Sequence, residues 1–127
     1  MKIYGIGTDV VNINRIKRSL ANKNFIKRLF NIDEIKKCNG QTNKANCYAK
    51  RFAAKEAFSK ALGTGIAGGI NFDEIIVYNI KSGKPGIRLL GKTKKIVKKI
   101  LKKKKINIYL SLSDDKPFAV ATVVIST

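Results

Sequence analysis

Residues 2–11 form an apolar, β-branched run that reads as an opening strand. Asn12 or Asn14 then stands ready to cap a first helix reaching about Leu20. Phe25 to Phe30 continues as a short helix. Asn31 to Lys37 reads as another, with an asparagine N-cap and Asp33 and Glu34 in its first turn. A polar loop, Gly40 to Lys44, precedes the strongest helical signal, Ala45 to Leu62. That segment is alanine-rich, free of Gly and Pro, and apolar at Tyr48, Phe52, Ala53, Ala57 and Ala61, and Gly63 and Gly65 end it.

Phe72 to Ile80 alternates and predicts a strand. Ser82-Gly83-Lys84-Pro85-Gly86 predicts a turn into a second strand, Ile87 to Leu90. Lys92 to Lys105 has the pattern of a basic amphipathic helix with Ile96, Val97, Ile100 and Leu101 inward. Ile106 to Ser113 and Phe118 to Ser126 read as strands, joined into a hairpin by Asp114-Asp115-Lys116-Pro117. This order predicts an α+β fold, a mainly antiparallel sheet with helices packed on it. The 127 residues suit one domain, residues 1–127, with no repeat or linker.

No stretch approaches the ~20 apolar residues that a membrane-spanning helix needs. Met1 to Val11 carries Asp9 and no small-residue cleavage site, so it reads as a strand and not a signal peptide, and the expected compartment is the cytoplasm. The spacing of Cys38 and Cys47 matches no metal or redox motif, so both are expected as reduced thiols. Histidine is absent, which removes the usual general base and the usual zinc ligand. Any metal should then be a hard cation held by carboxylates and phosphates.

The formal net charge is +19, from 27 basic and 8 acidic residues. Such a field attracts polyanions: nucleic acid, anionic lipid, a nucleotide-like ligand or an acidic protein. Abundant lysine, asparagine and isoleucine fit a coding bias equally well. The lysines of the Lys92–Lys105 helix read either as a nucleic-acid or membrane patch or as a solvated face. Aromatic residues make up only 8%, and no nucleic-acid-binding motif is visible.

With so few acids, each can be questioned. Asp9 interrupts an apolar strand just after Gly5-Ile6-Gly7-Thr8. A carboxylate there is costly unless it is paired, binds a metal, or caps the next helix. The two glycines let backbone or a ligand approach closely. Glu56 and Lys60 are four residues apart and share a helix face. They read as a surface ion pair, or as a cation-holding acid beside a phosphate-holding lysine, with Arg51 adding positive charge. Magnesium takes one or two protein carboxylates together with substrate phosphates, and Asp9 and Glu56 could form such a pair.

Three blocks resemble the holo-acyl-carrier-protein synthases, the small class of phosphopantetheinyl transferases. They are Ile6-Gly7-Thr8-Asp9-Val10-Val11 with Arg15-Ile16; Arg51-Phe52-Ala53-Ala54-Lys55-Glu56-Ala57 running through Ser59-Lys60-Ala61 to Gly63-Thr64-Gly65-Ile66; and Gly83-Lys84-Pro85 followed by the terminal hairpin. The resemblance implies the 4′-phosphopantetheinyl transferase fold. It implies transfer of phosphopantetheine from coenzyme A to a serine of an acidic apo acyl carrier protein, releasing adenosine 3′,5′-bisphosphate. It puts Asp9 and Glu56 on the family's magnesium-binding acids and Lys60 on its phosphate-contacting lysine, making Glu56 and Lys60 the catalytic pair. Arg51, Gly63, Lys84 and Pro85 fall in segments lining the coenzyme site. Arg15, with Arg18 on the same basic helix, falls where the carrier docks. A homotrimer with interfacial active sites is implied as well, with neither nucleic acid nor membrane as partner. One departure is Asp114, which stands where many members have a histidine near the coenzyme. Some Gram-negative bacteria have an acid there, and a turn-capping role is the alternative reading. Two other classes compete: a basic nucleic-acid binder, and a carrier-binding trimer without turnover.

Overall fold

The computed structural model describes residues 1–102 and 105–127. Strand β1 (Ile3–Asn12) leads through three short helices, α1 (Ile13–Ser19), α2 (Lys23–Leu29) and α3 (Ile32–Asn39), to the long helix α4 (Lys44–Leu62). Strands β2 (Ile75–Asn79) and β3 (Pro85–Leu89) form a two-stranded antiparallel sheet. Helix α5 (Gly91–Leu101) follows, and then the hairpin of β4 (Asn107–Asp115) and β5 (Phe118–Ser126). The main sheet is antiparallel with order β1-β5-β4. The expected α+β class, with its terminal hairpin, is what the chain forms.

The helix starts follow from asparagine. Asn12 caps α1 and Asn22 caps α2, while Asn31 and Glu34 make a reciprocal capping box on α3. Gly63, at φ 87°, ends α4 in the left-handed region that a side chain disfavours. Helix α4 lies across the inner face of the main sheet, where Ala53, Ala57 and Phe58 meet Ala119, Ala121, Val123 and Ile125, all fully buried. Gly5 and Gly7 permit this packing. A Cβ at Gly7 would collide with the Ala57 carbonyl oxygen, and one at Gly5 with the Ala61 carbonyl oxygen. What approaches those glycines is the backbone of α4.

Several boundaries differ from expectation. Phe72–Glu74 is a 3-10 turn and not the start of β2. The carbonyls of Phe72 and Ile75 both turn onto Lys55 Nζ, at 2.7 and 2.6 Å, which a regular strand could not offer. Helix α5 ends at Leu101, with Lys102 in the left-handed region, and the part of the expected helix at residues 103–104 lies outside the described residues. Asp114 and Asp115 belong to β4, paired with Ala119 and Phe118, so only Lys116-Pro117 forms the turn. The cysteines are not free thiols: Cys38 and Cys47 are joined in a disulfide. Helix α3 and the start of α4 fold back on each other and bring the two Cα atoms to 5.4 Å, within bridging range. No helix among the described residues is long and apolar enough to cross a membrane.

Candidate active site

Strand β1 and helix α4 together build an acid cleft. Asp9 projects beside the second half of α4, where Lys60 Nζ donates to its Oδ1 at 3.0 Å and to the Thr8 carbonyl at 2.9 Å. Glu56, one turn earlier on α4, faces the same cleft of about 250 Å³, lined also by Arg15, Ser19, Phe25 and Phe52. Lys60 therefore bridges to Asp9, and no hydrogen bond joins it to Glu56. Partial burial, and then the Asp9 carboxylate, push the Glu56 carboxyl above its ordinary value, and Lys60 pulls the other way. Two carboxylates and one ammonium thus share a half-shielded site with hard oxygen donors. Among the described residues, no group of three or more His, Cys, Asp and Glu side chains converges.

A second, basic cavity lies at the other end of α4. It measures about 380 Å³ and is bordered by Lys37, Asn43, Asn46, Cys47, Lys50, Arg51 and Asn79. The buried Arg51 guanidinium donates from Nη1 to Cys47 Sγ and from Nη2 to Asn79 Oδ1, both at 3.2 Å, and its Nε has no partner among the described residues. Burial lowers its pKa, opposed by the Glu34 charge. Asn79 Nδ2 donates to the Gly83 carbonyl at 2.9 Å, which ties the loop before Lys84 and Pro85 to Arg51. Lys84 itself is exposed.

Asp114 accepts from Asn46 Nδ2 at 3.2 Å and from Lys50 Nζ at 3.3 Å. Those bonds, Lys50 foremost, lower its pKa. The turn-capping reading is therefore wrong: the side chain reaches from β4 to α4 and not to its own turn.

Each expected residue now has a place. Asp9, Glu56 and Arg15 line the acid cleft, and Lys60 joins it through its bond to Asp9. Arg51 and Asp114 belong with the basic cavity, to which Asn79 links the Lys84-Pro85 loop. Gly63 shapes the end of α4, and Arg18 is exposed in the last turn of α1, outside the cleft lining. Sequence reasoning passed over Asn46, Lys50 and Asn79. The Asn46–Lys50 and Cys47–Arg51 spacings, each one helical turn, were signals that could have found two of them.

A mixed helix–sheet scaffold carrying paired acids, a bridging lysine and a basic cavity suits a phosphorylated ligand and its transfer. The chain belongs to the 4′-phosphopantetheinyl transferase superfamily, whose family model matches residues 5–123. It is 53% identical over 125 residues to a holo-[acyl-carrier-protein] synthase of Pelagibacter ubique, covering 98% of each chain. It superposes on the crystal structure of holo-[acyl-carrier-protein] synthase from Neisseria meningitidis with a TM-score of 0.85 and 35% identity, covering 98% of this chain and 99% of that one. A holo-(acyl-carrier-protein) synthase from Bacillus anthracis, solved in complex with CoA (3′,5′-ADP), matches with a TM-score of 0.80 and 35% identity, covering 98% and 97%.

Proposed function

We infer that this chain is a holo-[acyl-carrier-protein] synthase. It transfers 4′-phosphopantetheine from coenzyme A to a serine of apo acyl carrier protein, releases adenosine 3′,5′-bisphosphate, and so equips the carrier for fatty acid synthesis. The observation that carries this reading is the convergence of Asp9, Glu56 and Lys60 in one cleft on a transferase-family scaffold. The whole chain acts as one transferase domain, and the compartment is the cytoplasm.

Asp9 and Glu56 would hold a magnesium ion. Two carboxylates without a third fit an ion that completes its shell with water and substrate phosphates. A magnesium ion held by these two carboxylates would supply charge neutralisation at the substrate phosphates. Lys60 offers an ammonium to the phosphate oxygens on which charge develops. Arg51, with Lys84 and Pro85 beside it, takes the nucleotide end of the coenzyme. The unpartnered Nε of Arg51 supports an anion there. Asp114 holds Lys50 and Asn46 at the rim of that cavity. The serine oxygen attacks the phosphorus next to the pantetheine arm, the bond to adenosine bisphosphate breaks, and Glu56 accepts the serine proton.

Arg15 borders the cleft and is positioned to meet an acidic carrier, with Arg18 extending the basic face of α1. The chain works as a homotrimer with its sites at the interfaces. The uncovered outer face of the main sheet supports this. Ile6 is 63% exposed, Val10 57% and Phe118 46%, and Val10 also borders the cleft.

Intact-mass spectrometry of apo acyl carrier protein, incubated with this protein, coenzyme A and magnesium, tests the reaction. The carrier should gain one phosphopantetheine, and chelator or Asp9→Ala should abolish the gain. Glu56→Gln should cut turnover sharply with the fold retained. No gain with folded protein and a competent carrier would reduce the reading to a carrier binder without turnover.

A further inference from the structure

The Cys38–Cys47 pair takes no part in the reaction drawn above. Cys38 is fully buried, and Cys47, 8% exposed, has its small accessible surface on the basic cavity with Lys37, Lys50 and Arg51. Arg51 Nη1 lies 3.2 Å from Cys47 Sγ. The thiolate is the attacking species in disulfide exchange, and a guanidinium donating to sulfur stabilises that form. The two cysteines sit on different helices with Cα atoms 5.4 Å apart, so the pair can close without backbone rearrangement. Between them runs the connection that supplies Asn43 and Asn46 to the same cavity.

We propose that Cys38 and Cys47 are a thiol–disulfide exchange site for small anionic disulfides, with Cys47 as the attacking thiol, and that its state sets the anion affinity of Arg51. The Cys47 thiolate attacks one sulfur of the small disulfide, forms a mixed disulfide and expels one thiolate. That thiolate takes the Cys38 proton. The Cys38 sulfur then attacks Cys47, closes the internal bond and releases the second small thiolate. One protein thiolate, one protein thiol and one small disulfide become one protein disulfide, one small thiol and one small thiolate. Carboxylates on the oxidant suit the ammonium groups of Lys37 and Lys50. In the reduced protein the Cys47 thiolate pairs with Arg51 and competes with a bound phosphate. In the disulfide, the state this structure holds, the sulfur carries no charge, so its hold on Arg51 Nη1 is weaker and an anion displaces it more easily. This last consequence rests on the role given to Arg51 in coenzyme binding.

The full chain is equilibrated across ratios of glutathione to its disulfide, quenched with iodoacetamide and weighed. One transition is expected, in which both cysteines become alkylated together. Cys38→Ser should retain a single glutathione on Cys47, and Cys47→Ser should retain none. The KM for coenzyme A should be about tenfold higher in the reduced protein, at unchanged kcat, the worth of one charge-assisted hydrogen bond. Two free thiols at every ratio, a bond that stays closed at every ratio, or an adduct on Cys38 would overturn the exchange site. Equal KM in both states would overturn its link to Arg51. The mass measurements need no turnover, so they stand apart from the transferase reading.

Discussion

Glu56 and Asp9 carry like charge into one partly shielded cleft, and of these two acids Lys60 bonds only Asp9. Partial burial, and after it the Asp9 charge, raise the Glu56 carboxyl above its ordinary value, with Lys60 opposing. The folded protein thus binds this proton more tightly than the unfolded chain does. The stability contributed is full below the ordinary value and is lost as pH rises through the raised one. A divalent cation favours the charged form. Magnesium should therefore raise the melting temperature above that window and have little effect below it. At a hundredfold excess over its Kd, the gain is about 2.7 kcal/mol. Thermal melts with and without magnesium, from about pH 4 to about pH 8, read this directly. An equal magnesium shift at every pH would remove Glu56 from the metal site. The sequence singled out Asp9 as an acid interrupting an apolar strand and Glu56 as one helical turn from Lys60, and both acids border one cleft. The turn-capping alternative for Asp114 failed because its partners, Asn46 and Lys50, come from a helix more than sixty residues away in sequence.

Helix α4 organises the other elements through Lys55, a residue the sequence reading treated only as a neighbour of Glu56. Its ammonium, with no exposed surface, donates to Glu34 Oε1 at 2.6 Å and to the carbonyls of Phe72 and Ile75. Glu34 Oε2 in turn accepts from the Val77 amide at 3.1 Å, and Oε1 accepts from Asn31. One buried pair therefore pins α3, the 3-10 turn and β2 onto α4. Burial, the leading cause, lowers the Lys55 pKa to about 8, while Glu34 opposes the shift. Three close acceptors hold the proton at neutral pH. Lys55→Met should destabilise the fold by about 3–5 kcal/mol, because it leaves Glu34 buried and uncompensated. Replacing Glu34 with leucine in that background should recover part of the loss. Urea denaturation checks both, and a single mutant as stable as the parent would show that the pair does not brace these elements. Element types were readable from period and caps, since both are local. The 3-10 turn and the disulfide were not, because each depends on which helix lies opposite.

At the scale of the molecule, charge and uncovered surface point outward. The ion pairs found among the described residues, Lys50–Asp114, Lys55–Glu34 and Lys60–Asp9, all use lysines of α4. Each pair is neutral, so the whole +19 net charge is left to meet other molecules, and carrier capture should weaken with salt. The outer face of the main sheet carries apolar rows on either side of a polar Thr8–Thr122–Ser111 row: Ile6 pairs with Val124, which pairs with Tyr109, and Val10 pairs with Val120. Ile6 and Tyr109 remain 63% and 49% exposed in the single chain. A trimer that covers this face would bury Ile6 from each copy. Ile6→Asp would then put a carboxylate into each interface without counter-charge, a desolvation cost of several kcal/mol per ion. The inner face and α4 would be untouched, so the chain should still fold. Light scattering after size exclusion should report a monomer, and turnover should fall with it, because Val10 on the same face borders the acid cleft. A trimer that survives Ile6→Asp would move the interface elsewhere. A fully active monomer would separate catalysis from assembly.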